Sequence, residues 1–268
     1  MANPAGSFIW YELMSPDPDA SKAFYDAVVG WDIEPQPAGD LDYRMIRRSD
    51  GGNAGGVLRL DSAMQEHGAR PAWLGYLFVD DVDQAVAGAA ADGASTIMPP
   101  WSVPGIGRMA MIADPTGAPM YLMKPEAPAG QADATSDVFS VDQPQHVRWN
   151  ELSSSDSDRA LDFYSQHFGW RQEGAFDMGP AGPYRFLYHG DVRFGAVMGL
   201  MPHVPASRWT YFLGVDDIDR ATAALNEGGG TVIAGPHQIP GGEYTVMATD
   251  PHGAAFGIVG PRKEGAAA

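Results

Sequence analysis

Residues 10–31 read WYELMSPDPDASKAFYDAVVGW, and residues 149–170 read WNELSSSDSDRALDFYSQHFGW. The two stretches agree at 10 of 22 positions without a gap. A second echo pairs WLGYLFVDDVDQA, from Trp73, with WTYFLGVDDIDRA, from Trp209. A third pairs ADPTGAP, from Ala113, with TDPHGAA, from Thr249. The spacing is 139 residues for the first echo and 136 for the others. Solenoid repeats recur at roughly 20–50 residues, so a period this long marks the duplication of a whole domain. A site in one half is therefore to be sought in the other, and the differences between halves carry information.

Working outward, each half divides again. Residues 8–13 are a short apolar run with Glu12 inside it, the pattern of a strand. Ser15-Pro16-Asp17-Pro18-Asp19 supplies turn and helix-start residues, residues 20–29 a helix, and Gly30 its stop. Residues 43–47 and 56–60 read as two further strands separated by a Gly-rich turn. The same order returns from Trp73: a strand over 73–79, a helix from Asp80-Asp81 to about residue 91, then strands over 95–98, 108–112 and 119–123. The expected fold is α+β, with tandem βαβββ modules, four in total. The expected boundaries are a first domain over 1–125, a linker over 126–145, a second domain over 146–262 and a tail over 263–268. The linker is rich in Ala, Pro, Asp, Gln and Ser.

The totals bound the function. The chain has 268 residues, 44% hydrophobic and 19% charged, a globular composition. Seventeen basic against 34 acidic residues give a net charge of −17. Such a balance repels phosphate backbones and anionic membranes, so neither nucleic acid nor membrane is an expected partner. The absence of cysteine removes disulfides, thiolate metal sites and Cys nucleophiles. The start MANPAGSFIW lacks the basic and apolar regions of a signal peptide, and no apolar run approaches a membrane span. The expected location is the cytoplasm, as a monomer or a homodimer.

The pattern W-x-E-L-x-S-x-D-x-D…F-Y…G-W, then W…V-D-D-[VI]-D, then D-P-x-G-A resembles the vicinal oxygen chelate superfamily. That group contains glyoxalase I, extradiol dioxygenases and bleomycin-resistance proteins. The resemblance covers most of both halves and lies closest to a two-domain glyoxalase-like branch. It implies two cup-shaped mixed sheets with helices on their outer faces, each cup holding a metal or a ligand. Because this fold hosts several chemistries, the motifs specify fold more than function.

The resemblance also implies where a metal would be held. The positions fall on Trp10, Leu74 and Tyr121 in the first half, and on Trp149, Thr210 and Gly257 in the second. None is His, Asp or Glu, the donors a hard or borderline ion needs. The seven histidines stand in predicted loops, turns or element ends, without partners at ligand spacing. No cofactor is expected, and a divalent metal is kept only as an alternative.

If Trp10 points into a cup, alternation places Glu12 beside it, and likewise Glu151 beside Trp149. The neighbouring strands contribute Tyr76 and Tyr121 in one cup, and Thr210 and Phe212 in the other. Such an apolar, aromatic wall with one carboxylate suits an aromatic or cationic organic compound. The ligand-binding candidates are thus Trp10, Tyr76, Tyr121, Trp149, Thr210 and Phe212, with ordinary core packing as the alternative for Trp10, Tyr76, Tyr121 and Trp149. Glu12 and Glu151 are candidate catalytic residues, since burial raises a carboxyl pKa and makes it a usable base. Arg44, Arg108 and Arg185 are candidate ion-pair partners for them. The alternative role for each Glu is structural, bonding backbone or an Arg. With Gly214 and Gly257 on its wall, the second cup is expected to be the roomier.

Three functions are compatible with this reading. The first is a metal-independent small-molecule binder of the bleomycin-resistance type. The second is a lyase, isomerase or hydrolase using Glu12 or Glu151 as general base. The third is a glyoxalase- or dioxygenase-type metalloenzyme with unorthodox ligands. Lactoylglutathione lyase activity is not expected.

Overall fold

The computed structural model describes residues 3–127, 134–179, 182–201 and 204–263. The four expected modules are present. The first comprises β1 (Phe8–Ser15), α1 (Pro18–Val29), β2 (Asp32–Ile33), β3 (Tyr43–Arg47) and β4 (Asn53–Arg59). A short helix, α2 (Ser62–Glu66), follows it and has no strong signal in the sequence. The second has β5 (Ala72–Phe78), α3 (Val82–Ala91), β6 (Ser95–Val103), β7 (Gly107–Ala113) and β8 (Pro119–Pro125). The third has β9 (Val147–Ser154), α4 (Ser157–Phe168), β10 (Arg171–Asp177), β11 (Pro183–His189) and β12 (Val192–Gly199). The fourth has β13 (Arg208–Gly214), α5 (Ile218–Glu227), β14 (Thr231–Gln238), β15 (Tyr244–Thr249) and β16 (Ala255–Gly260).

The strands form two eight-stranded mixed sheets, one from each half. Their orders are β2-β3-β4-β1-β5-β8-β7-β6 and β10-β11-β12-β9-β13-β16-β15-β14. The repeat extends to register: Glu12 pairs with Gly56 in the parallel β1–β4 ladder, as Glu151 pairs with Ala196 in β9–β12.

Helix ends follow their capping residues. Asp17 and Asp156 cap α1 and α4 by accepting N–H bonds from the first turn. Gly30 and Gly169 close the same helices in the left-handed region, at φ 84° and 67°, where glycine costs least. Asp81 and Asp217, the second residue of each VDD motif, cap α3 and α5.

By contact density the chain forms two compact units, each joining one module from each half. The first unit contains the described residues of Met1–Trp10, Leu74–Ser136 and Asn150–Trp209. The second contains those of Tyr11–Trp73, Asp137–Trp149 and Thr210–Ala268. At the centre of the first, the Tyr164 hydroxyl donates to Oδ2 of Asp114 at 2.9 Å and accepts from the Trp209 indole at 3.0 Å. The second unit repeats the arrangement. There the Tyr25 hydroxyl donates to Oδ2 of Asp250 at 3.2 Å and accepts from the Trp73 indole at 2.9 Å. The other oxygen of each Asp holds its own D-P-x-G turn, taking the backbone N–H groups of Ala118 or Ala254 at 3.0 and 2.9 Å. The two aspartates are thus turn residues, as the sequence indicates, and also the anchors of a buried relay.

Aromatic rings pack around each relay. Tyr164 stacks on Trp170 at 4.7 Å, and Trp170 meets Trp209 edge-on at 5.7 Å. Tyr25 meets Trp73 at 5.4 Å and Phe256 at 5.3 Å. The indoles of Trp170 and Trp31 bond to carbonyls just before a first strand, those of Gly6 and Gln145, both at 2.8 Å. Trp31 and Trp170 are therefore core residues.

Burial of the relay makes each member costly to lose, because its partners are left unsatisfied in a dry core. Tyr164→Phe is expected to destabilise the protein by about 1–3 kcal/mol. Chemical denaturation checks this; an unchanged midpoint would show the relay to be energetically idle.

Candidate functional site

Among the described residues, Glu151 is an expected site residue that the structure surrounds with further chemistry. Alternation along β9 places it on the face opposite Asn150 and Leu152, both fully buried. Its side chain is only 6% exposed. From β11, two strands away, the Tyr184 hydroxyl donates to Oε2 of Glu151 at 2.7 Å. From the start of β13, Arg208 acts on the same carboxylate through its charge. Burial pushes the Glu151 carboxyl above the ordinary glutamate range, while the Tyr184 bond and the Arg208 charge pull it back. Burial likewise lowers the Arg208 guanidinium, and the Glu151 charge opposes that shift.

Half-buried rings extend this face. Phe186 stands 6.0 Å from Tyr184 in an edge-on arrangement. The guanidinium of Arg193 lies over Phe186 at 5.0 Å, and that of Arg171 over Tyr188 at 5.6 Å. The expected partners Arg44, Arg108 and Arg185 are engaged elsewhere. Arg44 bonds Asp19 at 2.6 Å and Asp42 at 2.9 Å, Arg108 bonds Asp83 at 2.5 Å, and Arg185 bonds Asp158. For Arg185 the cause is parity: it follows Tyr184 on β11 and so points to the opposite face. Tyr184 and Arg208 were missed by the motif reading. Arg208 had a signal, since it is two residues before Thr210 on the same strand.

Glu12, the counterpart of Glu151, is 3% exposed. The ring of Tyr43 lies against Gly56, which is in register with Glu12. Tyr43 holds in the first half the place that Tyr184 holds in the second. Tyr76 and Tyr121 are brought together as a stacked pair, 4.2 Å apart at 18°, with Trp101 edge-on to Tyr121 at 6.2 Å. Trp10 and Trp149 are half-buried. Thr210 is 1% exposed, and its hydroxyl meets no hydrogen-bond partner among the described residues.

The expected extra room beside Gly214 and Gly257 is not there. The ring of Phe212 covers Gly257, its register partner, where a Cβ would stand. The aliphatic part of Arg148 fills the place beside Gly214, fixed there by a two-bond pair with Glu243 at 2.8 Å each. Glycine here admits a neighbouring side chain instead of a ligand. A cavity of about 400 Å³ does open in the first unit, between α4 and strands β10 and β11. It lies on the Leu187 side, away from Glu151, and its polar rim residues Asp162, Ser165 and Gln172 are exposed.

The described histidines gather nowhere. His67 caps α2, His146 bonds its own chain at Pro144, and His167 meets Asp92 at 3.2 Å. His189 lies 3.4 Å from the Ser7 hydroxyl, while His237 lies on β14, an element and not a loop. His203 lies outside the described residues. Among the described residues no three His, Asp or Glu side chains converge as a metal site. The positions implied for a divalent ion hold Trp10, Leu74, Tyr121, Trp149, Thr210 and Gly257, and Phe212 covers the last. Two indoles, an alkyl group, a glycine, one phenol and one hydroxyl include no His or carboxylate and do not make the three or four converging donors such an ion needs, so the residues do not fit one.

Duplicated βαβββ modules in two eight-stranded mixed sheets define a class of fold. Residues 7–120 and 143–258 match the Glyoxalase/Bleomycin resistance protein/Dioxygenase superfamily, and the chain belongs to it. Over 256 residues it is 34% identical to CFP32 of Mycobacterium tuberculosis, which carries a provisional glyoxylase name, covering 94% of each chain. It is 30% identical to the anthracycline biosynthesis protein DnrV of Streptomyces peucetius, covering 95% of this chain and 93% of the other. The fold is also that of the Mn(II)-bound glyoxalase from Novosphingobium aromaticivorans. That match has a TM-score of 0.61 at 17% identity, over 97% of this chain and 83% of the other. A trihydroxybiphenyl dioxygenase from Sphingomonas wittichii matches with a TM-score of 0.64 at 14% identity, over 96% and 90%. No described helix is long and apolar enough to cross a membrane.

Two outcomes follow from the packing. An ordinary glutamate ionises near pH 4.3 when unfolded. Folded Glu151 holds its proton to higher pH, so the unfolded state loses its proton first and stability falls as pH rises through that window. Glu151→Gln is expected to be more stable than the parent at pH 8, with the difference closing below pH 4. Thermal unfolding at both pH values measures it; a difference of the same size at both would refute a raised pKa. Gly257→Ala is expected to destabilise by about 1–3 kcal/mol through a clash with Phe212, whereas an open wall would accept the methyl group without loss of Tm.

Proposed function

We propose that the protein binds a small organic compound with an aromatic ring system, receiving its polar group at Glu151. The observation that carries this reading is the Tyr184–Glu151 bond at 2.7 Å, with Glu151 itself buried. A buried carboxyl that is hydrogen-bonded on one side and opens onto half-buried rings suits an apolar ligand with one polar handle. Phe186 and Tyr188 supply ring surface, and Arg208 supplies a charge opposite the carboxyl. The relationship to DnrV favours the same class, since anthracyclines are fused-ring aromatics.

The stacked Tyr76 and Tyr121, with Trp101, offer a second aromatic wall in the same compact unit, flanked by Met109, Met111 and Met123. Methionine adapts to irregular shapes, which suits a wall that contacts ligands of varied outline. Trp10 remains a candidate ligand contact in the compact unit of Glu151, and Trp149, Thr210 and Phe212 remain candidates in the other unit.

A second reading is catalysis with Glu151 as general base. The raised carboxyl pKa favours it, because a base is most useful when its pKa approaches the working pH. Tyr184 then holds the carboxylate in one orientation. Metal-dependent glyoxalase or dioxygenase chemistry is not part of either proposal, because no implied ligand position holds a His or a carboxylate.

Intrinsic fluorescence titration with a panel of naphthalene- and anthraquinone-based compounds tests the binding reading. Saturable one-to-one binding is expected, weakened about tenfold by Tyr184→Phe, the scale of one hydrogen bond to a charged group. Absence of saturable binding across the panel, or binding indifferent to Tyr184→Phe, would overturn it. Should a bound compound be converted, Glu151→Gln separates the two readings: loss of turnover with binding retained assigns Glu151 as the base.

A further inference from the structure

We infer that the Glu151 face receives an anionic aromatic compound, with Arg208 as the residue that selects for the negative charge. This inference rests on the binding reading given above and names its ligand class.

The duplication lets the Glu151 face be compared with its counterpart in the first half. Three arginines ring the Glu151 face: Arg171 over Tyr188, Arg193 over Phe186, and Arg208 within Coulombic reach of Glu151. Trp31 and Trp170 align Arg171 with Asp32, and Trp73 and Trp209 align Arg208 with Ala72. The ladders Glu12–Gly56 and Glu151–Ala196 align Arg193 with Asn53. The first half therefore has an acid, an amide and a methyl group where the second has three guanidinium groups. Packing alone does not call for that difference, since both halves build the same sheet.

In a chain with 34 acidic residues, arginines elsewhere find carboxylates: Arg44, Arg48, Arg108, Arg148, Arg159 and Arg262 all do. Arg208 is half-buried, and its Nε is buried with no acceptor among the described residues. A guanidinium held partly out of water without an acceptor is costly, and a planar oxyanion is the group its fork fits. Glu151 senses the Arg208 charge without forming a direct ion pair among the described residues, which leaves Arg208 available to a ligand. Of the other two, Arg171 meets Glu173 at 3.4 Å, an exposed pair that leaves it a weak contributor.

A ligand ring placed against Phe186 and Tyr188 brings its substituent toward Arg208 and Glu151. A carboxylate or phenolate is attracted by Arg208 and can accept the N–H bonds its guanidinium offers. A cationic substituent meets the Arg208 charge instead.

Isothermal titration of the full chain with three isosteric probes decides the matter: 2-naphthoate, 2-naphthamide and 2-naphthylmethylammonium. The expected result is 2-naphthoate bound about tenfold tighter than either of the others, the scale of one charge-assisted contact. Arg208→Gln is expected to abolish that preference, with binding of 2-naphthamide little changed. Arg208→Lys, which keeps the charge but not the fork, is expected to retain part of it. Circular dichroism checks that the variants fold, and the parent's ratio among the three probes stands whether or not they do. Equal or tighter binding of the amide or the cation, or a preference that survives Arg208→Gln, would overturn the inference. Binding of none of the three would defeat the binding reading itself, and this inference with it.

Discussion

A phenol held between an indole N–H and a buried carboxylate occurs once in each compact unit, and the fold depends on it. Each member satisfies a polar group that would otherwise be stranded in a dry core. The carboxylate is the most demanding of the three, because an ion out of water needs several donors. Asp114 gets them from its own turn and from Tyr164, and Asp250 from its own turn and from Tyr25. In both cases the tyrosine comes from the other half of the chain. The relay therefore explains why F-Y, W…V-D-D and D-P-x-G recur together, and why each compact unit takes one module from each half.

Much of this was legible in the sequence. Alternation and helix caps locate the four modules, and the repeat marks their equivalence. What escaped is instructive. The strand expected over 95–98 continues to Val103 through Pro99 and Pro100, residues that usually end strands. They are tolerated because β6 lies at the end of its sheet, where missing N–H groups break no ladder. Helix α2 is five residues long, too short to show a periodic face. The role of the turn aspartates was half visible, since a sequence shows a turn but not the distant hydroxyl that turn receives.

The candidate site's carboxylate was legible as a residue on the sheet face, and its surroundings were not. Parity along β9 puts Glu151 on the sheet face, and the structure agrees. Tyr184 is two strands away, and only register across β11, β12 and β9 brings it to Glu151. Glycines at 214 and 257 suggested space, yet a missing side chain on one strand is an invitation to the neighbour. Phe212 and Arg148 have taken the room. The duplicate halves thus share a scaffold and differ in what lines it: stacked tyrosines and methionines on one sheet, a Glu–Tyr–Arg corner on the other.

The central claim is that Glu151 is a buried, ligand-facing carboxyl poised by Tyr184 and Arg208. Carbon-13 NMR titration of the Glu151 side-chain carboxyl, with and without 2-naphthoate, tests it most directly. The account predicts a midpoint above that of exposed glutamates in the free protein, and a further rise when the anion is bound beside it. A midpoint in the ordinary glutamate range, unmoved by saturating 2-naphthoate, would contradict it.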